Sequence, residues 1–555
     1  MSNPPVRVGL LLDSNTVPVW VEALLTELIE KQYATVALRV YDKGPARETK
    51  APDYNFIDRF TLRIADKLHQ TFAEAPSRVA DAFEPKDISG LLADIPQLAV
   101  PTVKTDRVDV LPDEDIETIR SYDLDLIIRI GFGILENPIL HVPKHGVWAL
   151  HHGDERRNRG GPAAFWEPMQ SWDTVGSVLQ RLTHGKNNRL VLSRSQAPVD
   201  RFSIAQTKNN LYWKSQAMLS REIERLHLLG AEAFFSPKRL PKQSELQFYS
   251  QRLYEFPHPR EYFCLTLHKI WEKIKFITHN KRCVEQWILL YHLSDDPQTS
   301  ARQYKQLIPP LDRFWADPFA IERDGKYYIF VEEYPYNTEK GHISVIEMDD
   351  EGNISDSEPV LVTDSHLSYP FLLEHEGELY MIPESVATNS VKLYRCVEFP
   401  NKWEFVQDIM TDVNLVDATL FFKDGLWWLF GNQSYGNRVN RWDECYLYSS
   451  KDFRDGNWQS HPSNPISSDV RNARPAGAII EYNGRLFRPS QNCSRYYGYG
   501  FNMSEIVTLT PDEYEEKLVS RIMPNWDEEI IGTHTYNRAG RLNIMDAIKL
   551  RRRRR

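Results

Sequence analysis

The chain has 555 residues, of which 41% are hydrophobic and 12% aromatic, and its formal net charge is −10. This composition can fill large apolar cores and includes no long low-complexity tract, which excludes a fibrous or disordered protein and predicts a soluble chain of two or three folded domains. The acidic balance, with one basic run from Arg551 to Arg555, argues against nucleic acid as the main partner.

The beginning of the chain, "MSNPPVRVGLLLD", has a short apolar run without a charged n-region before it or a small-residue cleavage site after it. We therefore expect no signal peptide. No uncharged window of about eighteen apolar residues occurs, so no transmembrane segment is predicted. The five cysteines are scattered and odd in number, which is typical of reduced thiols. Together these features predict a cytoplasmic protein.

The first third of the chain alternates short apolar runs with helical patterns, as in "VRVGLLL", "VPVWVEALLTELIEK", "TVALRVY" and "DLDLIIRIGFGIL". This alternation predicts an α/β domain with an open parallel sheet over residues 1–206. Ligands of such sheets bind beyond the carboxyl ends of the strands, where Gly131 to Gly133 fall. A helical pattern then predicts a bridging region over residues 207–282, which is either a contact surface or a merely solvated helix.

Residues 146–166, "GVWALHHGDERRNRGGPAAFW", carry more polar groups than a turn needs. His151, His152 and Asp154 are the candidate catalytic residues of this loop. Imidazoles and a carboxylate are also suitable ligands for zinc or iron, with His184 as a distant addition. Because neighbouring side chains of an extended segment point apart, no metal site is predicted here.

Beyond residue 283 the chain repeats itself. "ADPFAIERDGKYYIF" from Ala316, "SYPFLLEHEGELYMI" from Ser368 and "VDATLFFKDGLWWLF" from Val416 align without gaps, and two looser copies follow. The turn glycines of the five copies are separated by 52, 48, 59 and 56 residues: Gly325, Gly377, Gly425, Gly484 and Gly540. Hairpins repeated about every fifty residues predict a five-bladed β-propeller over residues 283–548.

The two ends of the repeat region carry further predictions. "EQWILLYHL" (residues 285–293) is expected to close the last blade, the alternative being an independent connecting strand. Residues 549–555 form a basic tail, and we expect its five arginines, residues 551–555, to be disordered and solvated. Such a tail adds about 1 kcal/mol of attraction to an anionic membrane surface per basic residue, so weak peripheral membrane contact is possible there.

Residues at the start of each blade converge at one end of a propeller axis. The common offset gives Asp317, Tyr369, Asp417, Arg474 and His534. We predict a substrate-binding site for a carbohydrate or sugar nucleotide there, and the proposed contacts are Asp317, Glu384, Asp417, Arg474 and His534. The aromatic residues of "GLWWLFGN" and "RYYGYGF" could stack on a sugar, although aromatics in strands more often belong to the core.

The segments "FWADPFAI", "YYIFVEEY", "KGHISV" and "YPFLLEHEGELYMIPE" resemble the five-bladed propeller at the N-terminus of glucosamine inositolphosphorylceramide transferases. They are more distantly similar to the propeller of arabinanase and β-xylosidase type glycosidases. The glycosidase resemblance implies that Asp317 is a base and that Asp417 tunes acidity. Arg474 stands where the family has its acid, and a guanidinium cannot donate a proton at neutral pH. Glu384 could substitute for that acid.

The first 200 residues resemble 10-formyltetrahydrofolate-dependent formyltransferases, whose loop motif matches here at Gly146, His151, Arg159, Gly160 and Pro162. The resemblance implies a formyltransferase-like, Rossmann-like fold and a folate carrier. Its "GFGIL" segment sits where the family holds the pterin, which makes the cofactor-binding residues Gly131, Phe132, Gly133, Ile134 and Leu135.

Two catalytic positions of that family are changed. Ala149 occupies the place of the oxyanion-donating Asn, and Asn187 lies at or next to the orienting Asp. Losing an oxyanion donor lowers a rate by roughly a hundredfold to a thousandfold. His152 and Asp154 could compensate by forming a rearranged His-His-Asp site with His151.

The leading functional hypothesis is therefore transfer of a formyl group from 10-formyltetrahydrofolate to an amino sugar or sugar nucleotide in glycan synthesis. His151 would be the base, and His152 and Asp154 would assist it. The alternatives are a catalytically degenerate carbohydrate-binding protein and, less favoured, a propeller glycoside hydrolase that uses Asp317, Asp417 and Glu384. The sequence does not indicate an oligomeric state.

Overall fold

The computed structural model describes residues 3–44, 54–104, 108–135, 138–183, 189–237, 239–241, 249–297, 300–434 and 442–552. The chain divides into two compact units, one that ends at residue 273 and one that begins at residue 274. Each unit has hydrophobic cores of its own.

The first unit combines strands and helices. Its strands are β1 (Val6–Leu12), β2 (Thr16–Pro18), β3 (Ala34–Asp42), β4 (Pro85–Asp87), β5 (Gln97–Val100), β6 (Val103–Lys104), β7 (Val108–Val110), β8 (Leu126–Arg129), β9 (Ile134–Leu135), β10 (Val147–His151), β11 (Thr174–Leu182) and β12 (Arg189–Pro198). Its helices are α1 (Val19–Glu30), α2 (Phe56–Leu68), α3 (Asp113–Arg120), α4 (Trp166–Met169), α5 (Ile204–Phe234) and α6 (Pro259–Arg282), the last of which continues past residue 273.

A seven-stranded sheet organises this unit, in the order β12-β11-β10-β8-β1-β3-β5. Strands β10, β8, β1, β3 and β5 are mutually parallel, and β11 is antiparallel to both of its neighbours. The predicted parallel sheet of an α/β fold is therefore present. The strand order reverses between β1 and β8, which places a crevice at their carboxyl ends.

Helix α5 covers this sheet and does not form a separate bridge. Its Trp213, Met218, Leu219 and Ile223 belong to the same buried core as the sheet strands β1 and β8 and helix α1. The sheet buries its apolar face with α5 in place, and this helix lies in the unit that ends at residue 273. Among the described residues, no helix is long and apolar enough to cross a bilayer.

The second unit consists mainly of strands. They are β13 (Cys283–Leu293), β14 (Lys305–Leu307), β15 (Arg313–Arg323), β16 (Lys326–Pro335), β17 (His342–Met348), β18 (Glu358–Leu361), β19 (Ser368–His375), β20 (Glu378–Glu384), β21 (Ser390–Glu398), β22 (Lys402–Thr411), β23 (Leu415–Lys423), β24 (Leu426–Gln433), β25 (Cys445–Ser450), β26 (Gln459–Ser460), β27 (Ile480–Tyr482), β28 (Arg485–Asn492), β29 (Gly500–Leu509), β30 (Tyr514–Ile522), β31 (Ile530–Gly532), β32 (Tyr536–Ala539) and β33 (Leu542–Arg552).

In the described part of the unit these strands form five antiparallel sheets, numbered here in chain order. Sheets 1 to 4 are four-stranded meanders, β15 to β18, β19 to β22, β23 to β26 and β27 to β30. Sheet 5 has the order β14-β13-β33-β31, with β32 also on β33. Each sequence copy thus contributes the first hairpin of one sheet.

The turn glycines have a definite backbone role. Gly325 and Gly377 have φ of 74° and 80°, and the residues before them, Asp324 and Glu376, have φ of 52°. Two consecutive residues with positive φ form the tight turn that matches the twist of a hairpin, and glycine adopts that region without a steric penalty.

Each sheet shares a hydrophobic core with the next one. Phe330 of sheet 1 lies in one core with Met381 of sheet 2, and Leu429 of sheet 3 lies in another with Phe371 of sheet 2. Further cores join sheets 3 and 4, and sheets 4 and 5. Sheet 5 in turn shares a core with sheet 1, so the packing returns to its starting point.

Strand β13 pairs with β33 along its whole length, from Cys283 against Arg552 to Leu293 against Leu542. The predicted closing strand is therefore paired with the end of the repeat region. This pairing corrects the expectation for the basic tail, because Arg551 and Arg552 lie in β33 and are therefore not disordered. Residues 553–555 lie outside the described residues.

The shared cores predict a large effect of truncating β13. Leu289 is fully buried in the core between sheets 5 and 1, so Leu289→Ala should lower the free energy of unfolding by about 2–5 kcal/mol. Urea titration measures this loss, with hydrogen exchange of the amides of the second unit as the readout. Val519→Ala, at a position 53% exposed, is the control and should change stability by less than about 0.5 kcal/mol. Equal effects of the two changes would contradict the assignment of β13 to the core.

Candidate functional site

The polar loop of the first unit begins at His151, the last residue of β10. The side chain is half-buried, and its Nε2 lies 3.4 Å from the carbonyl oxygen of Asn158. Burial lowers the pKa of His151 and outweighs the opposing backbone contact. The imidazole is therefore neutral near pH 7, as a base must be.

His152 faces a different environment. Its ring stacks on Tyr212 with centroids 3.8 Å apart, and it meets Trp20 in an edge-to-face contact with centroids 6.0 Å apart. Burial, and then the charges of His151 and Lys208, lower the pKa of His152 to about 3. Its Nε2 has no hydrogen-bond partner among the described residues. His152 therefore packs in an aromatic cluster and does not share a proton with His151.

Asp154 is committed to other partners. Arg156 donates from Nε to its Oδ1 at 2.9 Å, and Gln196 donates from Nε2 to its Oδ2 at 3.0 Å. The backbone nitrogen of Arg156 also donates to Oδ1, which makes Asp154 the side chain that closes a local turn. Neither histidine is among these partners, so the predicted His-His-Asp arrangement is not formed. The sequence neighbours point apart, as an extended segment requires.

The predicted cofactor-binding segment lies at the carboxyl end of β8, beside the reversal of strand order. The backbone nitrogen of Phe132 donates to Asp13 Oδ1 at 2.8 Å, and that of Gly133 donates to Asp109. No space for a side chain exists at Gly131, because a Cβ there would lie 2.4 Å from Asp13 Oδ1. The location thus fits a ligand crevice, but two of the amides are already engaged by the chain itself.

The remaining predicted residues of this segment differ in exposure. Ile134 is 56% exposed and Leu135 is 4% exposed, because both lie in β9, where alternate side chains face opposite sides. Ala149 is buried in β10 and offers no side-chain donor. Asn187 and His184 lie outside the described residues.

In the second unit, the repeat places one residue at the same distorted point of sheets 1, 2 and 3. Pairing in the first hairpin skips a residue after Ala316, Ser368 and Val416, which marks a β-bulge in each sheet. The bulged residues Asp317, Tyr369 and Asp417 have φ of 50°, 45° and 54°. Such left-handed backbone is uncommon outside glycine and aims the side chain away from the regular pleat.

Asp417 of sheet 3, Glu384 of sheet 2 and Arg474 of the segment before β27 form one buried charge group. The Arg474 guanidinium binds Asp417 through two nitrogens, with Nη2 3.1 Å from Oδ1, and Nη2 also lies 3.2 Å from Glu384 Oε2. Gln491 donates from Nε2 to Asp417 Oδ2 at 2.9 Å. The fork geometry of arginine suits this bidentate contact, which a lysine could not reproduce.

Asp317 and His534 form the centre of a second group. Thr535 donates from Oγ1 to Asp317 Oδ1 at 2.6 Å, and His534 Nε2 lies 3.7 Å from the same oxygen. The other ring nitrogen of His534 is 2.6 Å from Asp546 Oδ2. Asp546 also accepts hydrogen bonds from the backbone nitrogens of Asp317, His534 and Thr535. The imidazole is therefore held between two carboxylates.

These groups shift one another's proton affinity. Burial, and then the nearby carboxylate of Asp546, raise the pKa of Asp317 to about 7 against the opposing effect of His534. Burial opposes the charge on His534, but Asp546 and Asp317 outweigh it and raise the pKa of His534 to about 9. Burial also raises the pKa of Glu384 well above its usual range, whereas Arg474 holds that of Asp417 low. Carboxylates in one cluster thus have different protonation states.

Aromatic side chains border the cluster. Trp287 stacks on His534 with centroids 4.1 Å apart, and Tyr497 meets the same ring edge-on at 5.2 Å. The Arg474 guanidinium lies 5.0 Å from the ring centroid of Tyr497, which in turn lies 5.8 Å from Trp442. Trp287, Trp442 and Tyr497 are half-buried and keep part of each ring in contact with solvent.

The structure brings together the five predicted substrate-binding residues of this unit in two linked groups, and it assigns Tyr369 a packing role. The hydroxyl of Tyr369 bonds Thr419 at 2.8 Å and accepts the backbone nitrogen of Gly477 at 2.9 Å. Among the described residues, Asp317, His534 and Asp546 are also the one set whose ligand atoms could hold a metal ion.

Sequence reasoning named Glu384 on the second strand of its hairpin but missed Gln491 and Asp546, because it did not compare the second strands of the five copies. In four copies a polar residue stands seven positions after the turn glycine: these are Glu332, Glu384, Asn432 and Gln491. In the fifth copy Asp546 stands six positions after Gly540. Gln491 and Asp546 contact the cluster directly. This second offset was readable from the repeat and would have found them.

Comparison with known proteins relates the second unit to one group of transferases. Residues 299–553 match the family model described as glucosamine inositolphosphorylceramide transferase 1, N-terminal. The glucosamine inositolphosphorylceramide transferase 1 of Oryza sativa subsp. japonica and that of Arabidopsis thaliana are each 34% identical, over 206 and 208 residues. Each alignment covers 37% of this chain and 27% of the relative, so the chain spans about a quarter of the length of these curated relatives.

Other similarities are weaker. The methionyl-tRNA formyltransferase of Prochlorococcus marinus is 29% identical over 87 residues, which are 15% of this chain and 26% of that protein. Among solved structures, a family 117 glycoside hydrolase from Zobellia galactanivorans has 13% identity over 48% of this chain and 90% of its own, with a TM-score of 0.31. Glycinamide ribonucleotide transformylase 1 from Symbiobacterium toebii has 14% identity over 40% and 88%, with a TM-score of 0.27. The sequence match over residues 299–553 is therefore the similarity that bears on function.

The raised pKa of His534 predicts a pH-dependent stability. The pKa of His534 is about 9 in the folded state and about 6.5 in the unfolded state. Protonation of His534 therefore stabilises the folded state fully below pH 6.5, and this contribution is lost as the pH rises through 9. The second unit should therefore lose up to about 3 kcal/mol over that window. Urea titration from pH 6 to pH 10 measures the slope.

His534→Asn should flatten that alkaline slope, whatever its effect on stability at a single pH. His292→Asn, on β13 and outside the cluster, should keep it. A wild-type slope that survives in His534→Asn would exclude the imidazole as its source.

Proposed function

We propose that this chain acts on a carbohydrate in the synthesis of a glycan or glycolipid, and that the polar cluster of the second unit binds the sugar. One observation carries the proposal. The residues that match the N-terminal family model of glucosamine inositolphosphorylceramide transferases contain Asp317, Glu384, Asp417, Arg474 and His534. The name of those relatives refers to glucosamine and to inositolphosphorylceramide, which makes a sugar and an inositol-bearing lipid candidate ligands.

We further propose that the five sheets are the blades of a single propeller. Two observations support this proposal. The hydrophobic cores are shared cyclically, so that sheet 5 packs on sheet 1, and β13 pairs with β33. In a propeller the first strands surround the axis, and the bulged residues of those strands then meet at one end. The contacts of Arg474, in the segment before β27, with Asp417 of sheet 3 and Glu384 of sheet 2 are consistent with that arrangement.

The cluster has the chemistry of a sugar site. Charged side chains provide directed donors and acceptors for hydroxyl groups, and half-buried rings provide apolar faces for the sugar ring. Asp417 and Arg474 neutralise each other, so a neutral ligand does not meet uncompensated charge. Trp287, Trp442 and Tyr497 supply the apolar side.

Asp317 is the candidate base of this site. Its pKa of about 7 lies near the working pH, where a carboxylate can both accept and release a proton. It would accept a proton from a sugar hydroxyl or a water, and the adjacent His534 would stabilise the carboxylate. Glu384, with its raised pKa, would be the proton donor of the hydrolase alternative, but Arg474 binds its Oε2. Binding or transfer therefore fits the site better than hydrolysis.

Formyl transfer by the first unit is the second candidate function. Its support is the neutral His151 at the end of β10, the loop motif around it and the short similarity to a methionyl-tRNA formyltransferase. The folate would lie near Gly131 to Leu135, where the exposed Ile134 offers an apolar contact. Ala149 and the engaged Asp154 leave His151 without the donor and the orienting carboxylate of that chemistry.

The sugar proposal predicts a loss of affinity in Glu384→Gln. Replacing the Glu384 carboxyl by an amide leaves one of its buried hydrogen-bond partners unsatisfied, which costs about 1–3 kcal/mol, so the dissociation constant should rise about fivefold or more. Calorimetry with glucosamine-containing and inositol-containing glycans measures it, and Glu347→Gln, at an exposed ion pair, is the control. Unchanged binding in Glu384→Gln would contradict the site.

The same ligands separate binding from hydrolysis. Asp317→Asn should weaken binding or transfer, and no free monosaccharide should form with the wild-type protein. Release of monosaccharide by the wild type that Asp317→Asn abolishes would establish the hydrolase alternative instead.

The formyl-transfer candidate predicts a contrast between two loop residues. His151→Ala should abolish formylation of an amino-sugar nucleotide by 10-formyltetrahydrofolate, since it removes the base. Asp154→Asn should reduce the rate far less, because Asp154 contacts Arg156 and Gln196. Product analysis by mass spectrometry measures both, and absence of any formylated product with the wild type would eliminate this candidate.

A further inference from the structure

Helix α2 presents its apolar side to solvent, the reverse of an ordinary amphipathic helix. Phe56, Ile57, Phe60 and Ile64 are 83%, 64%, 57% and 36% exposed. The buried residues of the same helix are Asp58 and Ala65. At about 100° per residue, the four apolar side chains lie together on the side of the helix opposite to Asp58 and Ala65. We call this set the α2 stripe.

The charges of α2 are sorted by sign. Its two acids face the interior, where Asp58 lies 3.7 Å from both His258 and Arg260, and Asp66 contacts the hydroxyl of Tyr262. Its three bases, Arg59, Arg63 and Lys67, are exposed. The solvent-facing half of the helix therefore combines the α2 stripe of Phe and Ile side chains with bases, and the two acids lie on the other half.

Helix α6 contacts α2 near its own beginning, where Tyr262 shares a core with Ala65, and it also has exposed apolar residues. Lys273 donates to the carbonyl oxygen of Glu74 at 3.1 Å, beyond the end of α2. Tyr262 and Lys269 are buried, whereas Leu267 and Trp271, four residues apart on one side, are 45% and 52% exposed. Trp271 adds the residue type that is enriched where a protein meets the lipid headgroups.

We propose that the α2 stripe docks the first unit on an anionic lipid bilayer. An interfacial helix has this pattern, with Phe, Ile or Trp on one side and Lys or Arg beside them, and it lies in the headgroup region. The chain as a whole carries a net charge of −10, so the three bases give α2 the opposite sign to the average surface. Attraction to anionic lipids then orients the unit with this helix towards the membrane.

The charge pattern favours a membrane over a second copy of the chain. In a two-fold pairing the same patch of both copies meets. Arg59, Arg63 and Lys67 of one copy would then lie near the same three bases of the other copy, and α2 has no exposed acids to neutralise them. Lipid phosphates and carboxylates supply that missing negative charge. The docking face lies in the first unit and does not depend on the proposed sugar site.

Vesicle flotation of the full chain tests the proposal. The wild type should float with vesicles of phosphatidylcholine and 30% phosphatidylserine, and less with phosphatidylcholine alone. The triple change Phe56→Ser, Phe60→Ser and Ile64→Ser should lower the partition coefficient at least about tenfold. The triple change Arg59→Gln, Arg63→Gln and Lys67→Gln should lower it roughly a hundredfold on anionic vesicles and remove its salt dependence.

Matched controls use equally exposed residues elsewhere. Phe405→Ser with Phe422→Ser removes two side chains of the second unit that are 51% and 52% exposed. The change Lys31→Gln, Arg120→Gln and Lys144→Gln removes three bases of the first unit that are about half exposed. Both controls should float like the wild type, and thermal melts of all four variants should match it, because exposed side chains contribute little to stability.

Three outcomes would overturn the proposal. One is a wild type that stays with the soluble fraction on anionic vesicles. Another is flotation that both α2 variants retain. The third is a wild-type dimer in light scattering that the stripe variant converts to a monomer, which would assign the α2 stripe to a second copy of the chain.

Discussion

Burial of charge is the constraint on which the second unit depends. The Arg474 guanidinium is held between the carboxylates of Asp417 and Glu384, and His534 is held between Asp317 and Asp546. Removing one partner from such a group costs about 3–5 kcal/mol, because the charge that remains cannot return to water. The five sheets must therefore meet in one fixed arrangement, and the β-bulges at Asp317 and Asp417 are the backbone feature that directs these side chains to it. A rigid cluster of this kind is preorganised for a polar ligand.

The parts of the fold that were predictable follow from periodic patterns. Glycine at Gly325 and Gly377 is required by a positive φ, so its spacing located the hairpins, and the aligned offset located Asp317, Asp417 and Arg474. The parallel sheet followed from apolar runs that alternate with helical patterns. Each of these features is a local backbone requirement repeated along the chain, and repetition makes a weak signal readable.

The parts that were not predictable depend on contacts between distant residues. Asp154 was assigned to a catalytic group, but its turn and the distant Gln196 engage it. Helix α5 was separated from the sheet that it covers, because nothing in its own pattern says which sheet it packs on. Arg551 and Arg552 were expected to be disordered, although β13 provides them with a partner strand. A basic sequence predicts solvation only when no strand edge is available.

The pairing of β13 with β33 has a consequence for the order of folding. Sheets 1 to 4 are meanders of sequence neighbours and can each form while the chain is being synthesised. In sheet 5, β13 can pair with β33 only after the chain has been synthesised as far as Arg552. This long-range closure carries a loop-entropy cost that local hairpins avoid. Until it occurs, β13 and the open side of sheet 1 expose strand edges and apolar surface. The nascent chain is therefore most vulnerable to misassembly immediately before its last strand is complete.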